Sequence, residues 1–243
     1  MKVLILAAGS GTRLGKQTEF IPKSLISINK KTILERQLDI IKNENDISII
    51  AGPNKDKFSK FGIEIFEDEE YQKHEQLGSL TSINKIFKKD VIVIFSDIIF
   101  DKKIFRKIVE TECDFGIALD KNWREKYMDR TEHPTSQADL AQVIGEKIKY
   151  IKKNLEGDNI SEFIGILKFS PHGWRVLMEL CQKLKANHKG NFHYAEMFSQ
   201  AYITDIIQEL IELNYNVKPI FVEGDWIEID TPQDIEIASK KLN

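Results

Sequence analysis

The sequence predicts an open α/β fold, a mostly parallel, twisted sheet flanked by helices, on three observations. "KVLILAA" (2–8) is a continuous apolar run of strand length, as expected for a strand covered on both faces of a parallel sheet. "VIVIFSD" (91–97) has the same character. Between them, "KTILERQLDIIKN" (31–43) opens on Thr32 and Glu35 three apart, a capping box, and sets Leu34, Leu38 and Ile41 on one helical face. Strands that alternate with amphipathic helices pack as layers around a sheet.

The other elements come in order along the chain. "DISIIAG" and "GIEIF" read as strands, "SLTSINKIFKK" (79–89) and "KKIFRKIVE" (102–110) as helices, and "CDFGIALD" (113–120) as a strand. After Asp120 the pattern changes. "KNWREKYMDRTEHPTSQADLAQ" is polar and irregular, and the short alternating segments "QVIGEKIKYIKK" and "EFIGILKF" come after it, which predicts a long loop feeding a small β-rich insertion or subdomain. Ser170-Pro171 supplies an N-cap and a first-turn proline for "HGWRVLMELCQKLK". "YITDIIQELIEL" is a further amphipathic helix, "NVKPIFV" a strand, and Thr231-Pro232 with Asp234 begins a last helix. No internal repeat, low-complexity tract or flexible linker interrupts the chain.

With 243 residues and 42% hydrophobic content the chain can bury a sizeable core. A net charge of -3, with both signs interspersed, gives no electrostatic reason to expect nucleic acid or an anionic membrane as partner. An anionic ligand therefore needs a local site. Cys113 and Cys181 lie far apart without metal-ligand spacing and are expected to be buried fillers in a reducing compartment. The first apolar run is too short for a signal peptide, and no run approaches ~20 residues, so a soluble cytoplasmic protein is expected.

Gly9, Gly11 and Gly15 space their glycines G-x-G-x-x-x-G, which misses the dinucleotide fingerprint by one place. A Walker A loop also fails, because Gln17 follows Gly15-Lys16 and Ser10 stands where the first glycine is required. The loop still has the chemistry of a phosphate cradle, since glycines admit close backbone N–H approach and Arg13 adds a fork of donors. An ordinary tight turn with a solvated arginine fits the same residues. Lys23 sits behind Pro22, whose fixed φ stiffens the approach and can aim a cation back at the loop. Asp97 closes an apolar strand at the sheet edge where open α/β folds bind ligands, or else it serves a turn. Glu228 and Asp230 are two apart, so on a strand they share a face and repel unless a cation joins them. With Asp97 they form a hard-oxygen set suited to Mg²⁺. Alternatively, Asp230 caps the final helix. Histidines 74, 133, 172, 188 and 193 form no ligand spacing and are expected to be non-catalytic.

"LILAAGSGTRLG" followed by "IPKSLI" resembles the start of the nucleotidyltransferase superfamily that activates phosphorylated small molecules with nucleoside triphosphates, the sugar-phosphate nucleotidyltransferase-like NTP-transferases. The resemblance implies a Rossmann-like fold, one domain over 1–243, with a nucleotide-binding half (1–120) and an acceptor-binding, metal-completing half (121–243). It implies nucleotide contacts at Leu6, Ala7, Ala8, Gly9, Ser10, Gly11, Thr12, Arg13 and Lys23, with Arg13 and Lys23 acting catalytically on the triphosphate. It also implies Mg²⁺ at Asp97, Glu228 and Asp230. "HEQLGSLTS" stands where sugar-1-phosphate enzymes carry a glutamine- or proline-rich base-binding segment, and offers Gln76, Gly78, Ser79 and Ser82 without that pattern.

"WIEIDTPQD" and "SEFIGILKFS" are most similar to cytidylyltransferases acting on phosphocholine or phosphonates. That branch implies CTP and a small phosphate-, phosphonate- or phosphoramidate-bearing acceptor as partners, with release of pyrophosphate. Glu162 and Lys168 are acceptor-site candidates or the polar face of an alternating strand. Trp226, with Trp123, either flanks a cationic choline-like group or fills the core. A sugar-1-phosphate nucleotidyltransferase using UTP, dTTP or GTP, and a non-catalytic nucleotide-binding regulator, are the competing expectations. Lys23→Ala is expected to lower turnover with little effect on folding. Oligomeric state stays open, a homodimer included, because interface and core helices share one periodicity.

Overall fold

Strand β1 (Lys2–Ala7) is buried along its whole length, and its alternate residues serve two cores. The computed structural model describes residues 1–9, 11–18, 21–42, 46–52 and 54–242. A 3-10 turn (Thr12–Gln17) and the two short strands β2 (Ser27–Ile28) and β3 (Lys31–Thr32) lead to helix α1 (Ile33–Ile41). Thr32 and Glu35 close the expected capping box there. The chain continues through β4 (Asp46–Ala51), β5 (Glu64–Glu67), α2 (Gln76–Ser82), β6 (Val91–Phe95), β7 (Ile98–Phe100) and α3 (Lys102–Glu110). Then come β8 (Phe115–Asp120), α4 (Trp123–Lys126), β9 (Leu140–Ile144), β10 (Lys147–Lys152), β11 (Ile160–Phe169) and α5 (Pro171–Asn187). The last elements are α6 (Ile203–Glu212), β12 (Val217–Phe221), β13 (Trp226–Glu228) and α7 (Pro232–Lys241).

The main sheet runs β10-β9-β11-β6-β1-β4-β5, with β8 on β11 and β12 on β8. Strands β6, β1, β4 and β5 are parallel, so their C-terminal ends share one edge: Leu6 pairs with Phe95, and Ala7 with Ala51. Strand β11 runs antiparallel to β6, β8 and β9. On one face Leu4 and Leu6 pack toward Trp174 and Leu177 of α5 and Ile206 and Leu210 of α6. On the other, Val3, Ile5 and Ala7 join Leu34, Leu38 and Ile41 of α1 and Ile104 and Ile108 of α3. Burial on both faces explains why β1 and β6 read as unbroken apolar runs.

One expectation is corrected. The helix expected over 79–89 starts three residues earlier and ends at Ser82, because Asn84 adopts a left-handed φ of 40° that a helix cannot continue through. The expected β-rich insertion is present and joins the main sheet. Its strands β9, β10 and β11 extend the main sheet antiparallel, and β11, buried at every position, lies in the sheet interior. The capped starts at Ser170 and Thr231 are as expected. Both cysteines are free thiols; Cys181 is buried, which pushes its pKa up to about 12, and Cys113 is half-buried. Among the described residues no helix is long and apolar enough to cross a membrane.

Candidate active site

A cleft of about 880 Å³ opens at the C-terminal edge of β1 and β6, where the parallel strands hand over to loops. The glycine loop forms one wall. Gly11 has φ 63°, and a Cβ there would meet Thr18 Cγ2 at 3.1 Å and Lys23 Cβ at 3.3 Å, so the turn requires a residue without a side chain. The Thr18 hydroxyl donates to Gly11 O at 2.7 Å and to Gly15 O at 3.2 Å and closes the loop. The loop runs into a 3-10 turn, not an α-helix, so it offers backbone N–H groups and a cation without a long helix dipole behind them.

The opposite wall comes from the end of β6. Asp97 stands in the turn between β6 and β7, and the buried Gln37 side chain of α1 holds that turn by donating to Phe95 O at 2.9 Å and Ile98 O at 2.8 Å. Strand β13 pairs antiparallel with β7, and the Ile229 N–H donates to Asp97 O at 2.9 Å. That bond ties Asp97 to the Glu228–Asp230 segment, with Ile229 standing 132 residues later in the chain.

Four charged side chains meet between these walls. Lys23 Nζ lies 2.8 Å from Asp97 Oδ2 and also donates to Asp230 Oδ1. Arg13, which is 57% exposed, reaches Asp230 Oδ2 at 2.8 Å. Burial alone would lower the Lys23 ammonium's pKa, but the charges of Asp97, Asp230 and Glu228 raise it on balance. Burial opposes ionisation of Asp230, and Lys23 and Arg13 overcome it, so its carboxyl lies below the ordinary value. Glu228 goes the other way. Burial and the charges of Asp230 and Asp97 push its pKa well up.

Further buried polar groups fix the carboxylates from behind. Arg130 Nε donates to Asp234 Oδ1 at 2.8 Å, and its Nη2 lies 2.8 Å from His133 Nδ1 and 3.8 Å from Glu228 Oε2. Arginine has only donors, so His133 Nδ1 accepts and its proton sits on Nε2, 3.6 Å from Glu228 Oε2. Asp234 Oδ2 accepts the Asp230 N–H at 3.0 Å and the Thr231 N–H at 2.9 Å, so the cap of α7 also aims Asp230 into the cleft. Across the cleft His74 Nε2 lies 3.2 Å from the buried Asp68 Oδ1.

Of the expected site residues, Leu6, Ala7, Ala8, Gly9, Gly11, Arg13, Lys23, Gln76, Ser79, Asp97 and Asp230 all line this cleft. Ser10 lies outside the described residues, as does the Thr12 side chain. Gly78 is not on the cleft wall. It faces His74, whose ring a Cβ would meet at 2.3 Å, so Gly78 makes room for a residue that does line the cleft. Glu228 borders a smaller inner cavity beside the cleft, together with Trp226 and Glu162. Trp226 is buried, and its indole N–H donates to Asp120 Oδ2 at 2.7 Å.

Lys168 is a correction. It lies at the other end of β11, where it donates to Val109 O and Thr111 O at 2.8 Å each and faces Asp90 at 3.3 Å. It pairs with Ile92 at the start of β6, so it belongs to the sheet's far edge and not to the cleft. Glu162 is likewise not on a solvated strand face, being only 3% exposed. Sequence reasoning passes over His133, Arg130 and His74. Arg130 and His133 meet Glu228, Asp230 and Asp234 from a distant segment, and the polar stretch "MDRTEHP" that carries them offers no periodicity to mark them; His74 pairs with Asp68 six positions earlier, in a stretch equally without a pattern.

The profile of the MobA-like NTP transferase domain matches residues 3–145. The chain is 27% identical to the CTP:phosphoglutamine cytidylyltransferase of Campylobacter jejuni, over 99% of this chain and 100% of that one. It is 32% identical to the choline-phosphate cytidylyltransferase of Streptococcus pneumoniae over 123 residues, 48% of this chain and 53% of that one. Among solved structures, the CTP:phosphocholine cytidylyltransferase LicC of Streptococcus pneumoniae superposes with a TM-score of 0.76 at 22% identity, covering 100% of this chain and 99% of that one. That likeness establishes the fold. The matched segment, more than half of the 243 residues, contains the glycine loop, Lys23 and Asp97, and by it the chain belongs to the MobA-like NTP transferase family.

Proposed function

We propose that this protein transfers the cytidylyl group of CTP to an anionic oxygen of a small phosphate-, phosphonate- or phosphoramidate-bearing acceptor and releases pyrophosphate. The observation that carries this reading is the convergence of Arg13, Lys23, Asp97 and Asp230 at the mouth of a glycine loop. Such an acceptor oxygen is already ionised at neutral pH, so the reaction needs no general base. The difficulty is bringing two anions together, which calls for positioning and charge neutralisation.

Arg13 and Lys23 supply that neutralisation. Each rests on a carboxylate and can turn to phosphate oxygens, and Arg13 is exposed enough to do so without disturbing the core. Asp97 Oδ1 and Asp230 Oδ2 are buried and accept no hydrogen bond, although the Arg13 guanidinium stands beside the latter. Asp97 Oδ1, buried without a donor, and Asp230 Oδ2, which has the exposed and movable Arg13 beside it, suit a hard divalent cation, so Asp97 and Asp230, with Glu228 beside them, would hold Mg²⁺. When bound, Mg²⁺ supplies charge neutralisation and polarises phosphoryl oxygens. The two cytidylyltransferase relatives, one acting on phosphoglutamine and one on choline phosphate, support CTP as donor and a small phosphorylated acceptor. On this reading residues 1–120 carry the nucleotide side and 121–243 complete the metal set and receive the acceptor.

Thermal unfolding with Mg²⁺ and each of CTP, UTP, ATP, GTP and dTTP tests the donor. A ligand at a hundredfold its Kd adds about 2.7 kcal/mol. Selective stabilisation by CTP, followed by pyrophosphate release with a phosphorylated acceptor, is the expected result. Selective stabilisation by UTP, dTTP or GTP would move the protein to sugar-1-phosphate chemistry, and none by any nucleotide would sink the reading.

A further inference from the structure

Behind the cleft lies an inner cavity of about 30 Å³, bounded chiefly by Phe95, Asp139, Glu162, Phe163, Trp226 and Glu228. Phe95 borders both spaces. Its ring is seated by the local sequence of β11. Pairing with β8 shifts register between Phe163 and Leu167, and Gly165 takes φ 79° with the Phe95 ring packed where its Cβ would be, 3.0 Å away.

Three carboxyl groups border this small space. Glu162 is 3% exposed; its Oε1 accepts the Tyr127 hydroxyl at 2.5 Å, and its Oε2 is buried with no hydrogen-bond partner. Asp139 accepts no side-chain hydrogen bond and forms no ion pair among the described residues. Glu228 shares Arg130 with Asp234 and His133. Burial raises the Glu162 pKa to about 8 and that of Asp139 to about 6, so nearby cations do not compensate either carboxyl. A buried acceptor atom without a donor is destabilising, and such groups persist where a ligand supplies the missing partner.

We propose that this cavity receives a protonated amine at the end of the acceptor remote from its phosphate or phosphonate group. The proposal rests on the cytidylyltransferase reading and names its acceptor class. With the anionic end of the acceptor at Asp97 and Asp230 in the cleft, the remote end passes Phe95 and meets Glu162 and Asp139. An N–H donor completes Glu162 Oε2, and the positive charge offsets the carboxylates. Hydrogen bonding selects further. A CH₂–NH₃⁺ terminus brings N–H donors to the unpartnered Glu162 Oε2, and a trimethylammonium brings none. A hydroxyl could also donate to Glu162 Oε2 but brings no positive charge against which the carboxyl groups can ionise.

Titration calorimetry on the full chain, with and without saturating Mg-CTP, compares phosphoethanolamine with 2-hydroxyethyl phosphate and phosphocholine. Phosphoethanolamine is expected to bind at least tenfold more tightly than either. That preference should fall below threefold in Glu162→Gln and, as a second variant at the rim, in Asp139→Asn, with the CTP-induced rise in unfolding temperature retained in both. Equal or tighter binding of the hydroxyl or trimethyl analogue, a preference that survives both substitutions, or no binding of any probe overturns the assignment. The CTP-induced rise reports separately on the donor reading, so either can fail alone.

Discussion

Replacing Lys23 by alanine should destabilise the fold, contrary to what the sequence suggests for a loop lysine. The Lys23 side chain is 12% exposed and joins Asp97, 23% exposed, to Asp230, 2% exposed. Stranding the partner of a buried pair costs about 3–5 kcal/mol; Arg13 remains beside Asp230 and Asp97 opens on the cleft, so about 2–3 kcal/mol is expected. For a chain of this size that is a fall of roughly 4–12 °C in unfolding temperature. Calorimetry of wild type and Lys23→Ala measures it directly.

Millimolar Mg²⁺ should restore part of the loss in the variant, because a divalent cation can take the vacated place between the carboxylates. The pH dependence has a defined sign. The folded pKa of Asp230 is lowered from 3.8, so its stabilisation is complete above 3.8 and is lost as pH falls through the folded value. The gap between wild type and variant should therefore narrow below pH 3.8. An unfolding temperature within about 1 °C of wild type at neutral pH, or a variant indifferent to Mg²⁺, would refute the reasoning.

Glu162 faces Tyr127, Arg130, Asp120 and Asp139, and its folded pKa of about 8 lies above the ordinary 4.5. Its proton is held more tightly in the folded state, so wild-type stability should fall as pH rises from 4.5 to 8; Glu162→Gln should flatten that slope and be the more stable at pH 8, by at most ~5 kcal/mol, in urea titrations. Lys168→Met should lower stability by roughly 1–3 kcal/mol by leaving two carbonyl groups without their donor, while pyrophosphate release keeps its kcat/KM. Gly78→Ala gains about 1 kcal/mol of helix propensity, yet its Cβ displaces the His74 ring, so the stabilisation produced by CTP should shrink.

Local signals were legible wherever one residue carries the whole interaction. Thr32 with Glu35, Ser170 with Pro171, and Thr231 with Asp234 each close a cap within three residues, and each helix begins where they indicate. The glycine loop and Asp97 were legible for a related reason, since each follows an apolar strand that the sheet aligns, and Lys23 was legible from its place directly behind Pro22. Contacts that depend on where distant segments land were not. Arg130 meets Asp234 across 104 positions and Glu228 across 98. Strand β11 shows a misleading pattern in particular. Glu162 and Lys168 suggest a polar face, but Phe163 with Ile164 and Ile166 with Leu167 place apolar residues at both parities, the mark of a strand buried on both sides. Lys168 could be buried there because the sheet edge supplies carbonyl acceptors that the sequence does not display.

The two halves of the site differ in how they handle charge when empty. In the cleft Asp97 and Asp230 already have internal cations, so nucleotide and metal exchange partners with groups that are neutralised beforehand, and the folded state tolerates the empty cleft. The inner cavity has no such counter-ion for Glu162 and Asp139, and it answers by keeping protons. An amine-bearing acceptor should then stabilise the protein more at pH 8, where the carboxyls are ready to ionise against it, than at pH 5, where they are neutral. The quantity to follow is the rise in unfolding temperature with phosphoethanolamine minus that with 2-hydroxyethyl phosphate, so that ionisation of the phosphate itself cancels. A difference that does not grow between pH 5 and pH 8 would mean that the carboxyl groups of the cavity take no part in acceptor binding.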